Sequence, residues 1–448
     1  MALSFEDLEK LQPPNTPEGL GVPIGLTEDF FMRKLWTLRH STVGEISERI
    51  GISRPVGIKI AESLRDKKLL MYQGADGRDY KITLTDLGHN TTSERMKNAR
   101  HSAYVPVPLS QYQTLVELQK PEIEIDRESV RRAFDDLVLE DDLVDQIGPA
   151  MASDGAILIY GPPGTGKSTI SERLNDIYND AIAVPRYVES DGQIISVFDP
   201  SIHLAIDDQP ETLDPRFVLC KRPILMVGGE LTLNMLDLQY DTLSGINRAP
   251  VQMLANNGIL VIDDFGRQSF RPDELLNRWI LPLAQGVDFL SASSGNKITI
   301  PFEIKLIFST NIEPTSLGDE AFLRRLRSKI FVGACTRNSF DWVLNKGANK
   351  HGLKLTEDSA DMVAKVCNDY HGELRPYLAV DFCDVAKVTA RYDNCELVLN
   401  KRLIDRVSSL YFVKKQEEPN NIGGVPLPAT NPDNSNFNRR KDESYSSI

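Results

Sequence analysis

Residues 156 to 178 read AILIYGPPGTGKSTISERLNDIY. Five apolar residues run into a glycine-rich turn, and the turn gives way to a helical pattern with Ile170, Leu174 and Ile177 on one face. The turn, Gly161 to Ser168, matches GxxxxGK[ST], which arises by chance in a chain this long about one or two times in a hundred. Its strand and helix flanks make the match more specific still. Glycines let the backbone close around a phosphate chain, and the loop N–H groups and the positive end of the following helix face the anion. Lys167 then reaches the terminal phosphates. Gly161, Pro162, Pro163, Gly164, Thr165, Gly166, Lys167, Ser168 and Thr169 are the candidate nucleotide-binding residues, with the Ser168 hydroxyl a ligand for Mg²⁺.

Outward from this loop, further short apolar runs alternate with helical patterns: PILMV (223 to 227), GILVIDD (258 to 264), IKLIFST (304 to 310) and KIFVG (329 to 333). Such runs predict an α/β fold, a doubly wound parallel sheet covered on both faces, with active groups at the strand carboxyl ends. Two strands end in useful chemistry. ILVIDD supplies Asp263, a metal ligand, and Asp264, which can polarise an attacking water, while IFSTN places the Asn311 amide where it can position that water.

In this motif order the chain resembles the AAA+ ATPases over about residues 125 to 414, with sensor 1 at Asn311. The resemblance implies ATP and Mg²⁺ as cofactors, ATP hydrolysis, and a homo-oligomeric ring, a hexamer by analogy. The family usually has Glu where Asp264 stands, which leaves the identity of the base open. EAFLRRLR (320 to 327) falls where the family carries an arginine finger, Arg325 first and Arg324 second; Arg375 in HGELRP falls where sensor 2 lies. VDFLSASSGNKITIPFE (287 to 303) alternates like a hairpin. It looks like the insertion of MoxR-type ATPases and enhancer-binding activators, where it faces the ring pore, although an ordinary surface hairpin reads the same way. With its amino-terminal domain, the segment AYVPVPLSQY and the runs GGELTLNMLDLQYD and IDDFGRQSFRPDELLNRWI, the whole chain except its tails is similar to a bacterial group of AAA ATPases described as having chaperone activity and associated with Flp pilus assembly. That likeness implies a cytoplasmic setting and an unknown protein substrate.

The remaining segments divide the 448 residues into about three domains at roughly 150 residues each. Residues 27 to 100 read as helix, helix, turn, helix and a two-stranded wing about Gly-Ala-Asp-Gly, a winged helix-turn-helix in which Ser53 caps the third helix. Over residues 29 to 90, eleven basic against eight acidic residues give +3, in a chain whose formal charge is −13. The local charge permits DNA contact through Arg54, Lys59, Arg78 and Lys81, whereas the apolar neighbours on the helix favour docking to protein. The overall charge argues against coating nucleic acid along the whole chain. Proline-rich residues 101 to 122 read as an extended linker, 123 to 334 as the ATPase core, 335 to 414 as a helical lid, and 1 to 26 and 415 to 448 as disordered ends. No apolar run approaches a membrane span, and MALSFEDLEKLQPPN lacks the basic and apolar regions of a signal peptide. The five scattered cysteines predict reduced, mostly buried thiols.

Overall fold

The five apolar runs pair as a parallel sheet of β1 (Ala156–Tyr160), β2 (Ile224–Val227), β3 (Ile259–Ile262), β4 (Lys305–Thr310) and β5 (Leu326–Phe331), in the order β2-β3-β4-β1-β5. The computed structural model describes residues 11 to 412 except 78, 99, 100, 102, 122–124, 292–294, 318–322 and 325. Strand side chains alternate between faces, so each strand feeds two cores. Ile157, Ile159, Val261 and Ile307 pack with Val144, Ile147, Ile170 and Leu174 on one side. Leu158, Leu260, Ile262 and Phe308 pack with Phe265, Leu275, Leu276 and Trp279 on the other. Because β4 lies between β3 and β1, with Ile262 opposite Phe308 and Thr310 opposite Tyr160, the residues that follow these three strands meet at one edge.

Four helices, Arg337–His351, Ser359–His371, Pro376–Tyr392 and Lys401–Tyr411, pack around Phe340, Leu344, Phe382 and Val407 in the segment read as a lid. Local chemistry sets their ends. The Thr336 hydroxyl accepts from the Ser339 N–H at the start of the first helix, and Gly352, at φ 68°, turns the chain out of it.

Towards the amino terminus, helices Ile24–Leu38, Val43–Arg49 and Arg54–Asp66 pack on strands Leu70–Asp76 and Asp79–Leu84, and helix Asp86–Asn98 follows. The hairpin tip is shorter than the Gly-Ala-Asp-Gly expected, since Asp76 pairs with Asp79 and a register shift falls between Tyr72 and Gly74. Ser53 precedes its helix without capping it, because its hydroxyl donates to the Pro14 carbonyl at 2.5 Å.

Two expectations are corrected. Within the segment read as a disordered start, Leu11, Leu20 and Val22 are buried, and a helix begins at Ile24. Residues 101 to 122 are no extended linker: Val107–Pro108 adds a strand beside Tyr187–Ser190, and Leu109–Leu118 is a helix that buries Tyr112, Leu115 and Val116. Prolines suggested a spacer, yet Pro108 only starts the helix, where its missing N–H matters little. The expected tail, 415 to 448, lies outside the described residues.

With Val107–Pro108 from before β1 and segments from between β1 and β3, the chain also builds a β-unit that no sequence feature announced. Its five-stranded sheet contains Val107–Pro108, Tyr187–Ser190, Gln193–Ser196, Gln239–Asp241 and Ile246–Arg248, beside a separate pair, Ala181–Pro185 with Phe217–Lys221. The amino-terminal module sits directly on this unit. Val105, Ile194 and Ile246 join the module's own core, the Val105 N–H reaches the Ile50 carbonyl at 2.8 Å, and His101 packs between Phe30 and Tyr187. Arg216 bolts the contact, donating from Nη1 to the Leu20 and Pro106 carbonyls while Nε and Nη2 hold Asp214. The expected hairpin is present as Val287–Ser291 against Lys297–Pro301, anchored where Gln113 donates to the Thr299 carbonyl; residues 292–294, including Ser294 of its tip, lie outside the described residues.

Candidate nucleotide site

The edge where β1, β3 and β4 end carries a cavity of about 580 Å³. Its floor is Pro163 to Ile170; Asp263, Asp264 and Asn311 form one wall, and the lid supplies Trp342, Gly347, Tyr377 and Val380 across from Leu137 to Leu139. Gly166, at φ 95°, precedes the helix Lys167–Arg173 and has nothing within 4 Å of where a Cβ would stand, so the loop faces open space. Gly161 and Pro162 are outside the lining, and their carbonyls instead accept the Lys167 amine at 3.0 and 2.8 Å. Thr165 is buried and donates to the Pro162 carbonyl, which holds the loop closed, while Thr169 is exposed in the cavity floor.

Around Lys167 the sequence-distant groups converge. Its Nζ donates to Asn311 Oδ1 at 2.5 Å, and the other end of that amide donates to Asp264 Oδ1 at 3.0 Å. Asn311 therefore bridges the cation and the carboxylate. Burial pushes the Lys167 amine below its usual range, opposed by Asp263 and Asp264 and reinforced by Arg375. A cation freed of water but short of a strong counter-charge is suited to an incoming phosphate.

Ser168 Oγ donates to Asp263 Oδ2 at 2.7 Å. Two hard oxygen donors thus meet beside the phosphate loop, a set that fits Mg²⁺ with further oxygens supplied by phosphate and water. Among the described residues no cluster of three or more His, Cys, Asp or Glu offers a self-contained metal site. Asp264 is exposed and adopts φ 48°, a left-handed backbone that costs a non-glycine residue about 1 kcal/mol. Gln268, which no motif flagged, stabilises that turn by accepting from the Gly266 N–H at 2.9 Å and donating to the Asp263 carbonyl at 3.0 Å.

The arginines divide. Arg375 is at the rim outside the lining, donating to the Pro163 carbonyl at 3.1 Å and to Glu373 at 2.7 Å. Arg324 is exposed just before β5 and does not line the cavity, and Arg325 lies outside the described residues. The Leu137 to Leu139 wall and the lining role of Trp342 and Val380 escaped sequence reasoning, since no motif marks them. As expected, Cys220, Cys367 and Cys383 are buried and free, and burial pushes each thiol up to about 12. No helix among the described residues is long and apolar enough to cross a membrane.

No protein-family model and no curated protein matches the chain. Solved structures that resemble it include the Thermotoga maritima RuvB Holliday junction branch migration motor, at 13% identity over 65% of this chain and 72% of that one, with a TM-score of 0.37. A point mutant of the same RuvB aligns at 13% identity over 62% and 71%, with a TM-score of 0.39. Likenesses this distant lend no weight to the reading of the site, which stands on its own geometry.

Proposed function

We propose that the chain is a P-loop ATPase of AAA+ type that binds ATP with Mg²⁺ and uses hydrolysis to remodel a protein partner. The observation that carries this reading is the Asn311 amide, which links the phosphate-loop amine of Lys167 to the Asp264 carboxylate across the cavity. The loop N–H groups and Lys167 bind the phosphates, and the apolar wall of Leu137 to Leu139 with Trp342 and Val380 takes the base. Ser168 and Asp263 hold Mg²⁺, which supplies charge neutralisation on the phosphate oxygens. Asp264 accepts a proton from a water aligned by Asn311 as the water oxygen bonds to the γ-phosphorus. The bond from that phosphorus to the bridging oxygen breaks, and ADP leaves with the electron pair. Arg325 or Arg324 of a neighbouring copy completes the charge compensation in a homo-oligomeric ring, a hexamer by the family resemblance, and Arg375 acts from the lid of the same chain.

The amino-terminal module is a winged helix that works as a docked protein-contact element. The turn that leads into its third helix is packed: Pro14 takes the Ser53 hydroxyl, and a Cβ at Gly51 would lie 2.5 Å from the Tyr104 ring. Arg54 also faces Asp79 at 3.5 Å. These contacts oppose the rival reading as a DNA-binding regulator, which needs that helix end in a major groove. A chaperone role in pilus assembly rests on the family resemblance. Titrating ATP into wild-type and Lys167→Ala protein tests the site: the account expects binding that the substitution removes, and equal affinity overturns it.

A further inference from the structure

Where the lid meets the phosphate loop, the contact is between one ring and one glycine. Tyr377 is the second residue of the lid helix Pro376–Tyr392, and its N–H points at the Gly164 carbonyl at 3.5 Å. A Cβ added to Gly164 would fall 2.1 Å from the Tyr377 Cδ1 and 2.6 Å from its Cε1. Gly164 is also left-handed at φ 79°, so both its backbone and its lack of a side chain serve this approach. Beside this contact, Arg375, two residues before Tyr377, donates to the carbonyl of Pro163, one residue before Gly164. The root of the lid is fixed beside it, with the Cys335 N–H on the Leu374 carbonyl at 2.9 Å.

We propose that Tyr377 is a positioning residue that couples the lid to the phosphate loop, so that the lid cannot shift without displacing the backbone of Gly164. The inference rests on the ATPase reading. Packed interiors transmit displacement because rings and backbone in contact have no slack. The loop N–H groups that would hold the phosphates then move as the lid moves, and nucleotide affinity depends on a ring that need not touch the nucleotide.

A double-mutant cycle on the full chain tests this, read by the affinity of a fluorescent ATP analogue and by steady-state KM and kcat. Gly164→Ala drives a methyl into the ring and weakens binding by at least about tenfold, as misplacement of a binding loop by an ångström does. Tyr377→Ala removes the ring and raises KM more than it lowers kcat, while Tyr377→Phe, which keeps the ring, stays much nearer wild type. The double variant binds more tightly than Gly164→Ala alone, because the clash is gone and only backbone strain remains. Additive losses, or a Gly164→Ala variant with unchanged affinity, overturn the proposal. Should Gly164→Ala not fold, the KM of Tyr377→Phe against that of Tyr377→Ala decides, and equal values overturn it. Wild-type and Lys167→Ala controls separate the two levels: a wild type that binds no nucleotide refutes the ATPase reading itself, whereas normal wild-type binding with an additive cycle refutes only the role of Tyr377.

Discussion

Among the described residues, two of the clusters that hold charged side chains away from water do so in opposite ways. At the junction of the amino-terminal module and the β-unit, Asp214 and Arg216 are each 1% exposed. Nε and Nη2 of Arg216 take the carboxylate and Nη1 takes two backbone carbonyls, which leaves nothing for a ligand to bind. Beneath the lid, Lys167 is as well bonded, but its partners are two loop carbonyls and a neutral amide, and it stands at the edge of open space with Asp264 exposed beside it. Burial of charge therefore does not mark function. The closed cluster holds two regions together, whereas the second is arranged around a volume that an anion and a cation can fill.

The closed cluster yields the largest expected effects. Deleting residues 1 to 98 exposes Val105, Ile194 and Ile246 and frees the Arg216 bond to Leu20, so the shortened chain loses cooperative folding of the β-unit and, with it, ATPase activity. A truncated protein with wild-type turnover would show the module to be a removable adaptor. Next in size, Arg216→Ala leaves Asp214 buried without its partner and lowers stability by about 3–5 kcal/mol, readable as a shift in urea midpoint. Replacing both, Asp214→Leu with Arg216→Met, recovers most of that loss if the pair acts only as a bolt.

His101, wedged between Phe30 and Tyr187, sharpens the same comparison through pH. Burial, then Arg33 and Lys34, lowers its pKa from 6.5 to about 4. The unfolded chain binds a proton below pH 6.5 and the folded chain resists until about 4, so this stability is fully present above 6.5 and is lost as pH falls towards 4. The loss amounts to about 3 kcal/mol. Unfolding free energies of His101→Gln and wild type should converge across that window; parallel curves would place the histidine outside the junction. The smallest effect belongs to Lys59, exposed on the third module helix: Lys59→Ala changes stability by less than about 0.5 kcal/mol and leaves turnover alone. A large drop in ATPase would mean that this face contacts the working assembly.

How legible each region was follows the same division. The phosphate loop, ILVIDD and IFSTN could be read because their chemistry is local: each motif sits at the end of an apolar strand that announces itself. The four lid helices were visible in their periodicity. The β-unit was not, because strands such as Gln239–Asp241 and Ile246–Arg248 are three residues long and gain stability only from partners far away in sequence. Val107–Pro108 was hidden by its proline, and residues 11 to 22 by the glycines and prolines around Leu11, Leu20 and Val22. Gln268 and Tyr377 belong to no pattern, since each acts through one contact that only the fold creates.

The central claim is that the open cluster binds ATP and hydrolyses it with Asp264 as the proton acceptor, and a paired measurement on Asp264→Asn tests it most directly. The amide keeps the size of the side chain and leaves Asp263 and Lys167 in place, so ATP affinity stays near wild type. Turnover falls by about 10² or more, because the group that accepts the proton from water is gone. Retained binding with lost hydrolysis is the result the account predicts. Undiminished turnover in Asp264→Asn, alongside an active wild type, would contradict it.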